Sequence, residues 1–316
     1  MEPFVAEQKE DAMSSPEPQP EHASDMSEIL DLEFAPGLRL DIVRPAGSDR
    51  LPAIVWLHGG AWRMGDRTWR PDFSRFFAAS GFVMVSIDYT LSGDAVFPQP
   101  LFDVRAGIRW VREHADEFGI LPDAIGIWGS SAGGHLAALA GLLGSVRTLQ
   151  GEAVSATDAS VQAVMDGYGA ADLLTADQDN PPTRGLLGGD PADLVELATA
   201  ASPARQAVAA GAPPFLIMHG GADDLVPASQ SIALYDALAA GGADAALYLI
   251  EGFGHGFLNP AGLEEVAPGP KLDSGRLEAE PTARTELRIT SGREWPASAS
   301  FGVIGRFFAD TLVPSS

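Results

Sequence analysis

Cysteine is absent from this chain of 316 residues. Without it the protein has no disulfide bond, no thiol nucleophile and no cysteine-ligated metal site. Lysine is scarce as well: Lys9 and Lys271 are the two lysines among 20 basic residues, against 43 acidic ones. The formal net charge of −23 disfavours nucleic acids, anionic membrane surfaces and strongly anionic substrates as partners. A neutral small molecule fits this composition best.

Long apolar runs and metal-binding motifs are also missing. No apolar stretch approaches the roughly 18 residues that a transmembrane helix needs, so no membrane span is expected. The chain does not open on a basic segment followed by an apolar one, as a secretory signal would. A cytoplasmic location is therefore expected, unless a leader has been removed. No H-E-x-x-H or comparable cluster of histidines and carboxylates is present, so neither a metal nor another cofactor is expected.

The rest of the composition is that of a globular protein. Hydrophobic residues make up 46% of the chain, enough to bury a full core at this length. Residues 1–27 are rich in Glu, Ser and Pro and lack apolar periodicity, which predicts a disordered acidic tail. Residues 28–316 are predicted to form a single domain. Strand-like apolar runs alternate there with helical patterns, which predicts an α/β fold: a mostly parallel sheet of about eight strands flanked by helices.

Two segments depart from this alternation. Residues 30–34 and 38–42 alternate apolar and polar side chains, as an opening antiparallel hairpin would. Residues 261–297 read as an insertion before the closing helix. Within it, residues 275–280 and 285–290 alternate around a proline-bearing turn, which predicts an inserted β-hairpin. This hairpin would cover the mouth of a site, pair with a second copy in a homodimer, or form a plain surface excursion.

The segment GSSAG at residues 129–133 has the layout of a nucleophile elbow. An apolar run precedes it and a helical pattern follows it. Glycines two positions before and two after the central residue let strand and helix approach closely, and Ser131 has both. Ser130 does not, because Trp128 and Ala132 occupy those positions. The helix beginning near Ala132 would direct free N–H groups at a developing oxyanion.

An acid and a base follow in the order that such an elbow requires. Asp223 comes in the loop after a buried strand and is the candidate acid, with Asp224 as the neighbouring alternative. His255 lies among glycines after the next strand, accessible for proton transfer, and is the candidate base. His219 directly abuts its strand and is interpreted as a structural hydrogen-bonding residue. His135, one turn into the helix after the elbow, is interpreted as a packing or network residue.

An early glycine-rich loop completes the arrangement. A buried strand at residues 52–57 ends in His58-Gly59-Gly60, where consecutive glycines leave the backbone N–H groups unobstructed. This is the H-G-G type of oxyanion loop found between an early strand and the first helix of esterases and lipases. Trp62, just after the loop, is a candidate for the wall of an acyl or aromatic pocket, although an aromatic residue there is equally consistent with core packing.

Together these segments resemble an α/β-hydrolase of the carboxylesterase/lipase group related to hormone-sensitive lipase. They are most similar to bacterial esterases of the feruloyl-esterase-like branch. The resemblance covers roughly residues 38–259 and the final helix. The matching segments, besides the aspartate and histidine loops, are HGGAWR at 58–63, DYTLSG at 88–93, IRW at 108–110 and WGSSAGGHLA at 128–137.

The resemblance implies hydrolysis of esters through an acyl-enzyme. Ser131 would be the nucleophile, His255 the base and then the acid, and Asp223 the group that orients His255. The oxyanion hole would consist of the backbone N–H groups of Gly59, Gly60 and Ala132.

The chain departs from the family pattern before the nucleophile, where Ser130 replaces the frequent acidic residue, and after Asp88-Tyr89, where Thr90 replaces the frequent arginine. Ser130 is therefore included, with Trp62, among the candidate pocket residues. The insertion at 261–297 is the third departure, and it bears on substrate preference.

The expected function is that of a serine carboxylesterase acting on short-chain or aromatic neutral acyl esters. The same three residues would also serve an amidase, a peptidase or a lactonase. A binding protein on a retired hydrolase fold is the alternative from another class. That reading normally requires the loss of Ser131, Asp223 or His255, and all three are present.

Overall fold

The structure is a computed structural model that describes residues 26–47, 49–175, 181–261 and 271–313. Within these residues one nine-stranded sheet runs through the molecule, in the order β1-β2-β4-β3-β5-β6-β7-β8-β9. The strands are β1 (Met26–Ala35), β2 (Leu38–Pro45), β3 (Leu51–Leu57), β4 (Val83–Ile87), β5 (Ile120–Ser130), β6 (Ala163–Gly167), β7 (Phe215–Gly220), β8 (Ala245–Ile250) and β9 (Thr285–Ile289).

Helices connect most of these strands. They are α1 (Phe73–Phe76), α2 (Gln99–Glu113), α3 (Ala132–Leu143), α4 (Pro181–Leu187), α5 (Val195–Ala200), α6 (Ser229–Ala240), α7 (Arg276–Ala279) and α8 (Phe301–Leu312), with 3₁₀ turns at Ala78–Ser80 and Pro203–Arg205. No helix in the described ranges has the length and apolarity to cross a lipid bilayer.

Strands β3 to β8 are parallel to one another, and antiparallel strands flank them on both sides. Alternate side chains of each parallel strand enter two different cores, because successive residues of a strand point to opposite faces of the sheet. In β3, Val55 joins the core beneath α2, α3 and α6, whereas Ile54 and Trp56 join the core beneath α1 and α8. Burial on both faces explains why these strands read as continuous apolar runs.

The predicted fold class is confirmed, with nine strands rather than about eight. The opening hairpin is confirmed as β1 and β2, whose register pairs Leu32 with Leu40. β1 begins at Met26 and therefore includes two residues that were predicted to belong to the N-terminal tail. The tail prediction for residues 1–25 lies outside the described residues.

The predicted inserted hairpin is wrong. Its first arm forms the single helical turn α7, and its second arm forms β9, which pairs antiparallel with β8 of the main sheet. One buried side chain, Leu277, is enough to anchor the helical turn, and an ion pair between Arg276 and Glu280 spans it. Pro281, two residues after the last helical residue, cannot continue the helix. Residues 262–270 of the insertion lie outside the described residues.

Candidate active site

Ser131 lies at the turn between β5 and α3, at the carboxyl edge of the sheet. Its backbone has φ 55° and ψ −117°, a left-handed conformation that costs free energy in any residue other than glycine. The flanking glycines are sterically required. A Cβ atom on Gly129 would lie 2.3 Å from the carbonyl carbon of Gly133, and a Cβ on Gly133 would lie 2.1 Å from the carbonyl oxygen of Leu57. The turn thus presents the serine side chain above the sheet edge.

Three side chains from three loops meet at this edge. The Nε2 atom of His255 lies 2.8 Å from Oγ of Ser131, and its Nδ1 atom lies 2.7 Å from Oδ2 of Asp223. An ionised carboxylate can only accept hydrogen bonds, so Nδ1 carries the proton and Nε2 presents its lone pair to the serine. The structure therefore brings together the serine, histidine and aspartate singled out in the sequence, in the arrangement that general-base activation of a hydroxyl requires.

The carboxylate of Asp223 is held in its ionised form. Burial acts to raise its pKa, but hydrogen bonds from His219 and His255 outweigh this effect and keep the pKa well below its usual range. Its Oδ1 atom also accepts hydrogen bonds from the backbone N–H groups of Leu225 and Val226, each at 2.9 Å. The neighbouring candidate, Asp224, is exposed to solvent, so the structure distinguishes between the two aspartates.

His219 forms hydrogen bonds within the protein, as expected from the sequence. Its Nδ1 atom lies 2.6 Å from Oγ of Ser231, and its Nε2 atom lies 2.8 Å from the carbonyl oxygen of Val226. The same Nε2 lies 3.4 Å from Oδ2 of Asp223. His219 therefore supports the loop that carries the aspartate.

The loop after β3 packs directly against the elbow. A Cβ on Gly59 would lie 3.2 Å from the carbonyl oxygen of Ser130 and 3.4 Å from Cβ of Ser131. Gly60 has φ 116°, and a Cβ there would lie 2.0 Å from the carbonyl oxygen of Met64, so no other residue fits. The backbone of Gly59, the first of the two candidate oxyanion-hole glycines, is thus brought beside the serine. Ala132 is the first residue of α3, where N–H groups have no intrahelical acceptor.

His58 and Tyr89 support this loop from beneath. Their rings stack at 4.4 Å with an interplanar angle of 9°, and the Tyr89 hydroxyl donates to the carbonyl oxygen of His58. The Nδ1 atom of His58 lies 2.6 Å from the carbonyl oxygen of Gly59. Burial lowers the pKa of His58 and thereby favours the neutral ring. Both residues lie in segments that carried the family resemblance, but sequence reasoning gave neither a role at the site.

The two candidate pocket residues are almost wholly buried. Ser130 is 1% exposed, and Trp62 is 5% exposed with its indole N–H donating to Nδ1 of His135. Their contribution to a substrate pocket stays a prediction. Tyr168, which sequence reasoning missed, packs edge-on against His255 with ring centroids 4.7 Å apart. The sequence feature that could have indicated Tyr168 is its position, as an aromatic residue directly after the apolar strand β6. Within the described ranges, no group of three or more histidine and carboxylate side chains is arranged to hold a metal ion.

Comparison with known proteins identifies the family. Residues 40–238, which include the glycine-rich loop, the elbow and the aspartate, match the BD-FAE family. The chain belongs to the BD-FAE family. The match ends before His255, which lies in a part of the chain that the family region does not include. The resemblance to feruloyl-esterase-like α/β-hydrolases is thereby confirmed.

Several members of this wider group are similar to the chain. Esterase LipQ of Mycobacterium tuberculosis is 36% identical over 72% of this chain and 56% of its own length. A truncated carbohydrate esterase from gut microbiota has a TM-score of 0.67 at 28% identity, covering 75% of this chain and 91% of that one. The propionate-bound esterase Est2 of Thermogutta terrifontis has a TM-score of 0.62 at 30% identity, covering 78% and 90%. The chain spans about half the length of the curated relatives that it matches.

Proposed function

We propose that this BD-FAE family member is a serine carboxylesterase that hydrolyses short-chain or aromatic neutral acyl esters. The observation that carries the proposal is the continuous series of hydrogen bonds from Ser131 through His255 to Asp223, at 2.8 and 2.7 Å. Similar proteins are named esterases, and one of them is described with propionate bound. These names support an ester as the substrate class and a short acyl chain within it.

The proposed reaction has two halves. Oγ of Ser131 attacks the ester carbonyl while Nε2 of His255 takes its proton, and the resulting oxyanion is held by the N–H groups of Gly59, Gly60 and Ala132. His255 then protonates the departing alcohol, which leaves an acyl group on the serine. In the second half His255 removes a proton from water while the water oxygen attacks the acyl carbon. The bond from that carbon to Oγ of Ser131 then breaks, His255 returns the proton to Oγ, and the acid is released. Asp223 stays ionised throughout and stabilises the imidazolium.

Hydrolysis of p-nitrophenyl esters from acetate to laurate tests this proposal. Ser131→Ala should lower kcat at least about 10³-fold, because the acyl-enzyme can no longer form. A fluorophosphonate should add one adduct to the wild-type chain and none to Ser131→Ala, as measured by intact mass. Hydrolysis that persists in a folded Ser131→Ala protein would overturn the assignment of the nucleophile.

The choice between adjacent aspartates has a matched control. Asp223→Asn should lower kcat by about 10⁴-fold, because the amide no longer fixes the required tautomer of His255. Asp224→Asn makes the same chemical change at an exposed position and should keep kcat within about twofold. Equal losses in both variants would contradict the proposed role of Asp223.

We also propose that two copies associate through β9. Among the described residues this strand lies at the end of the strand order, so one of its edges has no neighbouring strand and offers a site for edge-to-edge pairing. Ile289 on it is 43% exposed. Light scattering should give twice the chain mass at high protein concentration. A single-chain mass at every concentration would contradict this proposal without touching the catalytic one.

A further inference from the structure

The segment after the oxyanion loop is backbone-strained. Ala61 has φ 56° and Trp62 has φ 60°, so two consecutive residues with a Cβ atom occupy the left-handed region. Such a conformation costs free energy at each residue and persists only where surrounding contacts hold it. Some contact must therefore compensate for the strain, or the loop would relax and carry the N–H groups of Gly59 and Gly60 with it.

Besides the backbone hydrogen bonds from Arg63 and Met64 to the carbonyl oxygen of Gly60, the side chain of Trp62 provides such a contact. Its indole N–H donates to Nδ1 of His135 at 3.1 Å, and the two rings meet edge-to-face with centroids 5.1 Å apart. His135 is wholly buried on α3, and its backbone N–H donates to the carbonyl oxygen of Ser131 at 3.0 Å. The pair thus joins the oxyanion loop to the helix that begins at the nucleophile.

The imidazole of His135 is suited to this contact in one protonation state. Its Nε2 atom lies 2.7 Å from the carbonyl oxygen of Ala201, so Nε2 carries the proton and Nδ1 is left as an acceptor for Trp62. A doubly protonated ring would present N–H groups at both positions and could not accept from the indole. Burial lowers the pKa of His135 to about 4, which keeps the accepting form at neutral pH.

We propose that Trp62 and His135 are positioning residues that hold the oxyanion loop in register with the nucleophile. The inference rests on the proposed esterase function and assigns both residues a role in stabilising the transition state. A second hydrogen bond, from the N–H of Ser92 to the carbonyl oxygen of Trp62 at 2.7 Å, keeps the segment attached when the indole contact is lost. Losing the indole contact should therefore loosen the oxyanion hole without unfolding the protein.

Trp62→Phe tests the proposal because it removes the indole N–H and keeps an aromatic ring. We expect kcat to fall about tenfold with KM within about twofold, since a displaced oxyanion donor weakens the transition state more than the bound ester. The affinity of a trifluoromethyl ketone, whose hemiketal oxyanion occupies the hole, should fall by the same factor. Trp110→Phe on α2 makes the same chemical change away from the loop and should leave both values unchanged.

Two substitutions of His135 separate its two hydrogen bonds. In His135→Asn the amide oxygen lies near the position of Nδ1 and can still accept from Trp62, so most of kcat should be retained. In His135→Gln the amide lies near Nε2, which keeps the bond to Ala201 and loses the acceptor for Trp62. This variant should show the tenfold loss, and adding Trp62→Phe to it should cost nothing more.

The outcomes distinguish this inference from the proposed function. A wild-type chain that neither hydrolyses esters nor reacts with a fluorophosphonate would overturn the esterase function, and this inference with it. A wild-type chain that does both, with folded Trp62→Phe and His135→Gln variants at wild-type kcat and inhibitor affinity, would overturn the positioning role alone. Equal losses in His135→Asn and His135→Gln would also overturn it, because the effect would then not follow the Trp62 contact.

Discussion

At the scale of single residues, Asp166 is an ionisable group that the proposed mechanism does not use. It lies on β6, is 1% exposed, and its Oδ1 atom accepts from the N–H of Gly169 at 2.9 Å. A Cβ on Gly134 of α3 would lie 2.3 Å from the same oxygen, so the carboxyl group packs closely against the first turn of α3. Burial raises the pKa of Asp166 to about 6, against the opposing influences of Gly169 and His219.

This shift makes stability depend on pH. The unfolded chain releases the proton near pH 4 and the folded protein near pH 6, so the folded state holds more protons between these values. Stability should therefore fall as the pH rises through that window. Asp166→Asn stays neutral and should exceed the wild type in unfolding free energy by about 3 kcal/mol at pH 8 and about half as much at pH 5.

Urea denaturation at the two pH values measures this difference. Asp236→Asn, at an exposed position on α6, provides the control and should show little difference from the wild type at either pH. A gap between Asp166→Asn and wild type that stays constant with pH would contradict the prediction.

The candidate catalytic residues could be selected from the sequence because chain order and spacing constrain them strongly. The glycines around Ser131 identified the central serine of the turn, and the strand-loop pattern placed His255 at the sheet edge. The choice between Asp223 and Asp224 could not be decided in this way, since the two differ by one position in a loop. The contact between Trp62 and His135 was equally inaccessible, because it joins residues 73 positions apart through a strained turn.

At the scale of secondary-structure elements, a buried ion cluster joins α2 to the segment that follows α3. Oε1 of Glu152 accepts from Arg105 at 2.8 Å and from Arg109 at 2.6 Å, and the side chains are between 0 and 7% exposed. Arg105 also donates to the carbonyl oxygen of Leu143, the last residue of α3. Burial acts to raise the pKa of Glu152, but the two arginines outweigh it and lower the pKa below its usual range.

Glu152→Gln should lower the free energy of unfolding by about 3 kcal/mol, because it leaves two buried guanidinium groups without a counter-charge. Glu113→Gln makes the same change at an exposed position of α2 and should change stability by less than about 0.5 kcal/mol. Guanidinium chloride midpoints would compare the two. Similar small effects in both variants would mean that the cluster does not stabilise the contact between these elements.

The insertion shows where element prediction from sequence fails. Leu277 has to be buried, but both a strand and a single helical turn can bury one side chain, so alternation over six residues does not decide between them. The pairing of β9 with β8 was equally hidden, because Leu287 faces Tyr248 across a long connection. The alternation of apolar and polar residues identified β9 as a strand. Which strand it pairs with is decided by the arrangement of all the other strands in the sheet, and a local pattern does not contain that information.

At the scale of the whole molecule, the net charge of −23 should act on substrate selection. A negative potential repels anionic esters and leaves neutral ones unaffected, and dissolved salt screens this repulsion. For p-nitrophenyl butyrate, kcat/KM should be independent of salt. For the anionic p-nitrophenyl hemisuccinate it should rise about tenfold between roughly 0.02 and 0.5 M NaCl. If kcat/KM responded to salt in the same way for both esters, the prediction that the negative charge of the protein repels anionic esters would be contradicted.

The left-handed backbone at Ser131 has a consequence for the molecule as a whole. A serine in this conformation lowers the free energy of unfolding relative to a glycine at the same position. The chain with the proposed nucleophile is therefore not its most stable variant. Ser131→Gly should be inactive and yet melt at a higher temperature than the wild type, and a lower melting temperature would contradict this. Directed evolution that selected for heat resistance alone would therefore tend to replace Ser131, so a search for thermostable variants of this protein has to select for the proposed activity at the same time.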